Sequence, residues 1–182
     1  MNAEQIAVPK KGVTHNAPQE KSLKELKPKH FLKNRSRSDY LTSKFNLVSI
    51  VTGAKSANRR ADVLQKVKEG LDASSIRQLE EALHATQAEM AKFLTIPIST
   101  LRRRIRNSEK LAVDESDRVV RLARLRDLAV AMMGGDEEAA TRWLHTPRDI
   151  LNNETPLEHA STEIGAREVE ELIGRIRHGV FS

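Results

Sequence analysis

Four arginines lie within five positions of the segment PISTLRRRIRN, which occupies residues 97–107. A guanidinium carries a planar fork of N–H donors that pairs bidentately with a phosphate or with the edge of a guanine. A cluster of this density could therefore bind a nucleic acid, although a charge run is also common on a solvated helix face. The residues that precede the cluster distinguish these two interpretations.

The segment QAEMAKFLTIPISTLRRRIR, residues 87–106, has the pattern of a helix-turn-helix over its whole length. Its first helix would start at the polar Gln87, which can bond a phosphate, and would carry the small Ala91 where the second helix must cross closely. The apolar positions of the motif are Met90, Leu94, Ile96 and Leu101. The arginines then fall on the second, recognition helix, which predicts DNA binding.

Two features depart from the common form of this motif. Thr95 stands where the turn often has glycine, and Pro97 stiffens the entry to the second helix. The last core position is Ile105 rather than Arg104, so we expect the second helix to sit slightly rotated. Neither change removes the motif.

The recognition helix is expected to pack Leu101 and Ile105 inward at i, i+4 and to leave its arginines on the outside. Side chains near the start of such a helix reach base edges, whereas later ones meet phosphates. The predicted base-edge residues are Ser99, Thr100, Arg102 and Arg103. Arg104 and Arg106 are predicted to contact phosphates, as is Gln87 from the first helix.

Helical signals continue on both sides of the motif, and nothing reads as a strand, so the predicted fold class is all-α. Thr86 and Glu89 have the spacing of a capping box. A long helix is expected from about Glu115 to Met133, capped by Asp114, and Gly134-Gly135 would end it at a domain boundary.

Shorter helices are expected elsewhere along the chain. Before the motif, one helix is expected from Tyr40 to Val51 and a second from Arg60 to Glu69, with Val63, Leu64 and Val67 on one stripe. A third is expected from a cap at Asp72 or Ser74 to Leu83. After the long helix, further helices are expected from Asp136 to Leu144, from Thr155-Pro156 onward, and from Ala166 to His178.

The net charge of +6 conceals a gradient along the 182 residues. The net charge is +9 for residues 1–60, +3 for residues 61–126, and −6 for residues 127–182. A basic amino-terminal part and an acidic carboxy-terminal part suggest two partners of different character. We predict a disordered basic arm (1–36), a helical N-terminal extension (37–66), a helix-turn-helix DNA-binding domain with a long connecting helix (67–134), and a small helical domain (135–182). The arm either clamps DNA or only solubilises the chain.

Several classes of function lack their sequence signals. Cysteine is absent, and the six histidines show no metal-binding spacing, so we expect no metal site. A phosphate-binding glycine loop is also missing. We therefore expect a protein that is not an enzyme and needs no cofactor. No apolar run approaches the roughly 18 residues of a membrane span, which predicts a soluble cytoplasmic protein with no membrane partner.

The carboxy-terminal two thirds resemble a known family. The segments ESDRVVRLARL at 115–125, RWL at 142–144, TPL at 155–157 and TEIGAREVEELIGRIRHGV at 162–180 occur in the order and spacing of the Xre/MbcA/ParS family of bacterial antitoxins. The resemblance covers about residues 67–182. It does not extend to the first 65 or so residues, and NNETPL stands where a glycine usually precedes the TPL.

This resemblance implies an antitoxin that covers the active site of a RES-domain toxin, an enzyme that consumes NAD. It also implies repression of the shared operon through the helix-turn-helix bound to double-stranded operator DNA, as a homodimer or as a hetero-oligomer with the toxin. The carboxy-terminal domain would hold the toxin. The alternative is a plain dimeric repressor whose acidic end dimerises or senses a small ligand.

The end of the last helix is the predicted toxin-binding surface. Its residues are Arg175, Ile176, Arg177, His178, Gly179, Val180 and Phe181. Docking on a partner would bury Val180 and Phe181, each for about 1.5–3 kcal/mol, although Phe181 could instead fold back on its own domain. The two arginines would meet carboxylates of the toxin or merely favour a helix C-terminus. Trp143 fits the core of the small domain better than a contact.

Overall fold

The computed structural model describes residues 46–54 and 59–179. Within these ranges the helices are α1 Leu47–Thr52, α2 Arg59–Glu69, α3 Ser74–Leu83, α4 Gln87–Phe93, α5 Ile98–Asn107, α6 Val113–Met132, α7 Glu137–Leu144, α8 Pro156–His159 and α9 Glu163–His178, with a 3-10 turn at Asp149–Leu151. The only β-type pairings among these residues are two isolated bridges. The predicted all-α class is confirmed. The predicted basic arm, and residues 40–45 of the first predicted helix, lie outside the described residues.

The long helix α6 is the centre of the core. The apolar side chains on its inward face, among them Val119, Leu122 and Leu125, are almost completely buried. Helices α1, α2, α3, α7 and α9 all pack against it, so elements from both sides of Gly134-Gly135 share one hydrophobic core. The glycine pair does end α6 as predicted, because both residues adopt a positive φ that side chains disfavour.

Capping explains most of the helix starts. Thr86 accepts the Glu89 backbone N–H at 3.3 Å, and the Glu89 carboxylate accepts the Thr86 N–H at 2.7 Å, as the predicted capping box requires. Thr155 and Glu158 form a second box at the start of α8, where Pro156 takes the first helical position.

Four predicted helix starts were wrong. The first helix begins at Leu47 after its cap Asn46, which would lie inside the helix predicted from Tyr40. Helix α6 begins at Val113, and Glu115 rather than Asp114 satisfies its first turn by accepting the Ala112 N–H at 2.7 Å. Ala73, not Asp72 or Ser74, precedes α3, and no side chain caps this helix. The Ala73 N–H donates instead to the Glu109 carbonyl at 3.0 Å.

The start of α9 lies three residues earlier than predicted. Thr162 caps it by accepting the Gly165 N–H at 3.0 Å, so Gly165 is inside the helix rather than before it. The predicted apolar stripe of α2 was also wrong in part, because Val67 is buried while Leu64 is exposed.

The short helix α1 is attached to α6 by a carboxylate. Asp127 accepts the N–H of Leu47 at 3.0 Å and that of Val48 at 3.2 Å, which satisfies donors that the first turn of a helix leaves free. Leu47 and Val51 are buried in the common core. Tertiary contacts thus hold a helix whose β-branched residues favour it only weakly.

Candidate nucleic-acid interface and carboxy-terminal surface

Helices α4 and α5 and the residues between them form the predicted helix-turn-helix. The apolar positions of the motif are buried, namely Met90, Leu94, Ile96 and Leu101, as is the small crossing residue Ala91. Gln87 is half-buried at the first position of α4. The two helices therefore have the close contact that the sequence pattern required.

The turn between the helices has the geometry that usually calls for glycine. Thr95 has a φ of 55°, in the left-handed region. The Ile96 N–H donates to the Ala91 carbonyl at 2.9 Å, and the Arg118 guanidinium of α6 donates to the Leu94 carbonyl at 2.9 Å. These bonds hold Thr95 in a conformation that costs about 1–2 kcal/mol for a residue with a side chain.

The arginines of α5 divide into an exposed set and one internal member. Arg102, Arg103 and Arg106 are exposed, as is Ser99, while Leu101 and Ile105 face the core as predicted. Arg104 lies on the flank with its side chain 20% exposed and is paired with Glu115 at the start of α6. The structure therefore gives Arg104 a partner within the chain, and Thr100 is half-buried beside it.

The central arginine of the exposed face has a carboxylate neighbour. Arg103 pairs with Glu109, just beyond the end of α5. A hydrogen bond from Asn107 and, after it, the charge of Arg103 hold the pKa of Glu109 below its ordinary value. The pair is solvent-exposed, so it is weak and available for exchange.

The predicted toxin-binding residues at the end of α9 differ in their exposure to solvent. Arg175 and His178 are exposed, and Gly179 ends the helix with a φ of 67°. Arg177 is half-exposed and has a partner within the chain. Ile176 is partly buried against the core. Val180 and Phe181 lie outside the described residues.

The apolar side chains of this region form its core. Trp143 is 3% exposed, which supports the core interpretation of this residue. Leu172 and Ile173 of α9 are likewise buried. On α9 itself, the end and the outward side are therefore the parts available to a partner.

Sequence reasoning missed a histidine that links three elements. The His159 ring at the end of α8 has Nδ1 2.7 Å from a Glu154 oxygen and Nε2 2.6 Å from a Glu168 oxygen of α9. Only a protonated imidazole can donate from both nitrogens. The hydrogen bond to Glu168, followed by that to Glu154, raises the pKa of His159. The three residues lie 5 and 9 positions apart, and no local spacing rule would have paired them.

Polar contacts also connect the helix-turn-helix with the carboxy-terminal helices. The Lys92 ammonium of α4 lies 2.5 Å from a Glu158 oxygen of α8. This hydrogen bond, with those from Thr155, lowers the pKa of Glu158 to about 2. His145 Nε2 lies 2.8 Å from the Leu83 carbonyl oxygen at the end of α3.

Comparison with known proteins assigns these two regions. Residues 62–124 match the Antitoxin Xre-like helix-turn-helix domain, and residues 128–179 match the Antitoxin Xre/MbcA/ParS C-terminal toxin-binding domain. An Antitoxin Xre from Yersinia enterocolitica is 35% identical over 126 residues, which cover 69% of this chain and 85% of the relative. The chain belongs to the Xre/MbcA/ParS family of antitoxins.

Further relatives of this Xre family member agree with the assignment. An Antitoxin Xre from Photorhabdus laumondii is 33% identical over 64% of this chain and 78% of its own length. A relative from Sphingobium, named Prs ADP-ribosylating antitoxin, is 26% identical over 66% of this chain and 81% of its own length. The protein is thus an antitoxin of a toxin–antitoxin system, with a helix-turn-helix.

The family assignment leaves α1 outside both matched ranges. This helix lies before residue 62, and Asp127, which holds it, lies between the two matches.

Within the described ranges no helix has the length and apolar character to cross a membrane. In the same part of the chain no three His, Asp or Glu side chains are grouped so as to hold a metal ion.

Proposed function

We propose that this Xre antitoxin neutralises a RES-domain toxin that consumes NAD, by covering the toxin's active site, and that it represses its own operon through the helix-turn-helix. The observation that carries the proposal is the presence of exposed cationic side chains on two different helices. One set lies on the outer face of α5, and the other lies at the end of α9. The first set could bind operator DNA, and the second could contact a protein.

The DNA part of the proposal assigns roles on α5. Ser99, Arg102, Arg103 and Arg106 would face the major groove, with Thr100 and Gln87 beside them. Arg104 would contribute to binding by fixing α5 against Glu115 rather than by touching a phosphate. Binding as a homodimer would place two half-sites about 34 Å apart, and affinity would fall steeply with salt.

For toxin binding we propose the end of α9 and the residues that follow it, from Arg175 to Phe181. Arg175 and His178 have exposed polar groups that could meet carboxylates at a toxin surface. The name of the Sphingobium relative joins an antitoxin to ADP-ribosylation, a reaction that uses NAD, which supports a toxin of this chemistry. We propose residues 135–182 as the toxin-binding domain and residues 67–134 as the DNA-binding domain, although α6 packs with both.

Co-expression with the product of the adjacent reading frame in a bacterial host tests this proposal. The full chain should preserve growth and cellular NAD, and a chain ending at Gly179 should preserve them less. Truncation further back would remove Ile173, which is 1% exposed, and would unfold the domain instead of testing its surface. If NAD falls equally with and without the full chain, the protein is a repressor of another kind and the toxin part of the proposal is wrong.

A further inference from the structure

Arg148, in the loop between α7 and α8, has an unusual electrostatic environment. It is half-buried, and its Nε is covered and donates to no acceptor in the described part of the chain. No carboxylate of residues 46–54 or 59–179 lies within 4.0 Å of its guanidinium nitrogens. By contrast, Arg142 is 3.6 Å from Glu138 and Arg167 is 3.0 Å from Glu163.

The lack of a counter-charge has an energetic consequence. Burial alone lowers the pKa of Arg148, since no acidic group offsets the loss of solvent. Eleven Asp and Glu residues occur in the acidic segment 127–182, yet none of those described compensates this cation. A partly desolvated and unpaired charge gains more from an incoming carboxylate than a fully solvated one does.

The side chain and its backbone are already held in place. The guanidinium carbon lies 5.3 Å from the centroid of the buried Trp143 ring, within the range of a cation–π contact. The Arg148 N–H donates to the Glu154 carbonyl at 3.0 Å, and its own carbonyl accepts the N–H of Leu151 at 2.9 Å and of Asn153 at 3.0 Å. Binding a partner here would therefore order little that is not ordered in the free protein.

An apolar side chain lies two positions along the same loop. Ile150 is 58% exposed, one of the larger exposed apolar side chains in the described ranges, and Pro147 is exposed as well. An arginine stacked on an aromatic ring, with an aliphatic side chain nearby, has the composition of an energetic centre in a protein–protein interface. The loop also lies within the matched toxin-binding domain, residues 128–179.

We propose that Arg148, stacked on Trp143 and accompanied by Ile150, is a docking point for an aspartate or glutamate of the toxin, separate from the end of α9. This inference rests on the proposed toxin binding and adds a second contact to it. The partner carboxylate would accept from the terminal guanidinium nitrogens, since Nε is covered. The contact would set affinity and choice of toxin rather than reach into the toxin's active site.

The test measures the dissociation constant of the full chain for a catalytically inactive form of the adjacent reading frame's product, by calorimetry. Arg148→Gln should weaken binding by about 10- to 100-fold, and Arg148→Glu should weaken it further because like charges then meet. Arg148→Lys keeps the charge but loses the planar fork, so it should bind between the native chain and Arg148→Gln. Ile150→Ser should cost a few-fold.

Controls separate a contact from a loss of folding. Arg77→Gln removes an exposed arginine on α3 and should leave toxin affinity unchanged. The midpoint of thermal unfolding of Arg148→Gln should fall by no more than about 2–4 °C, because a single cation–π contact at a half-buried position contributes little to stability. If Arg148→Gln unfolds, Ile150→Ser still tests the contact, because a substitution at this exposed position should leave the fold intact.

Each result has a distinct meaning. Equal toxin affinity for Arg148→Gln, Ile150→Ser and Arg77→Gln overturns this inference and leaves the proposed function standing. Failure of the native chain to bind the toxin overturns the proposed function itself. If Arg148→Gln weakens operator binding and leaves toxin binding intact, Arg148 is a DNA contact and the inference is wrong.

Discussion

A β-carbon on Gly165 would overlap the carbonyl oxygen of His159, because the first turn of α9 crosses the end of α8 without room for a side chain. The overlap would be with a backbone atom, so no change of side-chain rotamer could relieve it. The same close crossing places the His159 ring against Glu168 of α9. Gly165 therefore fixes the angle at which α9, and the proposed toxin-binding end, leaves the domain.

Gly165→Ala should destabilise the protein by about 3 kcal/mol or more, because the two helices must move apart to admit the methyl group. Gly174→Ala is the matched control on the same helix, where a β-carbon would meet nothing within 4 Å. That change should stabilise by about 0.5–1 kcal/mol through the lower backbone entropy of alanine. Urea unfolding of both variants measures their free energies of unfolding. Similar values for the two would show that α9 does not cross α8 as closely at Gly165 as described.

Thr95→Gly should stabilise the protein by about 0.5–1 kcal/mol. Glycine relieves the left-handed strain of about 1–2 kcal/mol at this turn but loses more backbone entropy on folding. Thermal unfolding should show a midpoint raised by about 1–4 °C. A lower midpoint would mean that the threonine side chain makes a stabilising contact in the turn.

Arg103→Ala should weaken binding to the operator more than binding to random DNA, by about 1–3 kcal/mol on the operator, if its guanidinium reads a guanine. Glu109→Gln should have the opposite effect on affinity, since it removes the carboxylate that holds Arg103 in the free protein. Fluorescence anisotropy on both DNAs measures these effects at one fixed salt concentration. Equal losses on the two DNAs would make Arg103 a phosphate contact.

The His159 cluster should make stability fall as pH rises above about 6.5, the ordinary pKa of histidine. Below that value both folded and unfolded chains hold the proton, so the stabilisation is complete. Above it the unfolded chain releases the proton first, and the contribution is lost as pH passes the raised pKa of the folded state. Urea unfolding from pH 6 to 9 should show this slope, and His159→Gln should flatten it. An unchanged slope in that variant would remove His159 as its source.

The sequence predicted what local chemistry determines. The Thr86 capping box, the inward positions Leu101 and Ile105, and the stop at Gly134-Gly135 depend on neighbours within one or two turns, and the structure contains each of them. The departure at NNETPL also has a local explanation. Asn152 and Asn153 both adopt a positive φ, which asparagine tolerates better than most residues, so this turn forms without a glycine.

Contacts between distant residues were not predictable in this way. The partner of Arg104 is 11 residues away, and the carboxylate that caps α1 is 80 residues from Leu47. No sequence pattern singled out Arg148, whose guanidinium carbon lies 5.3 Å from the centroid of the Trp143 ring with no carboxylate of the described residues beside it. One sequence carries no signal for such pairs, because nothing in their spacing relates them.

The proposed neutralisation is tested most directly by titrating the purified toxin with the full chain while following NAD consumption. We expect the rate to fall in proportion to added chain and to reach background at a fixed molar ratio, with a chain ending at Gly179 inhibiting more weakly. A rate that stays unchanged under saturating chain would rule out neutralisation of this toxin, and DNA binding by the exposed arginines of α5 would then be the protein's remaining proposed role.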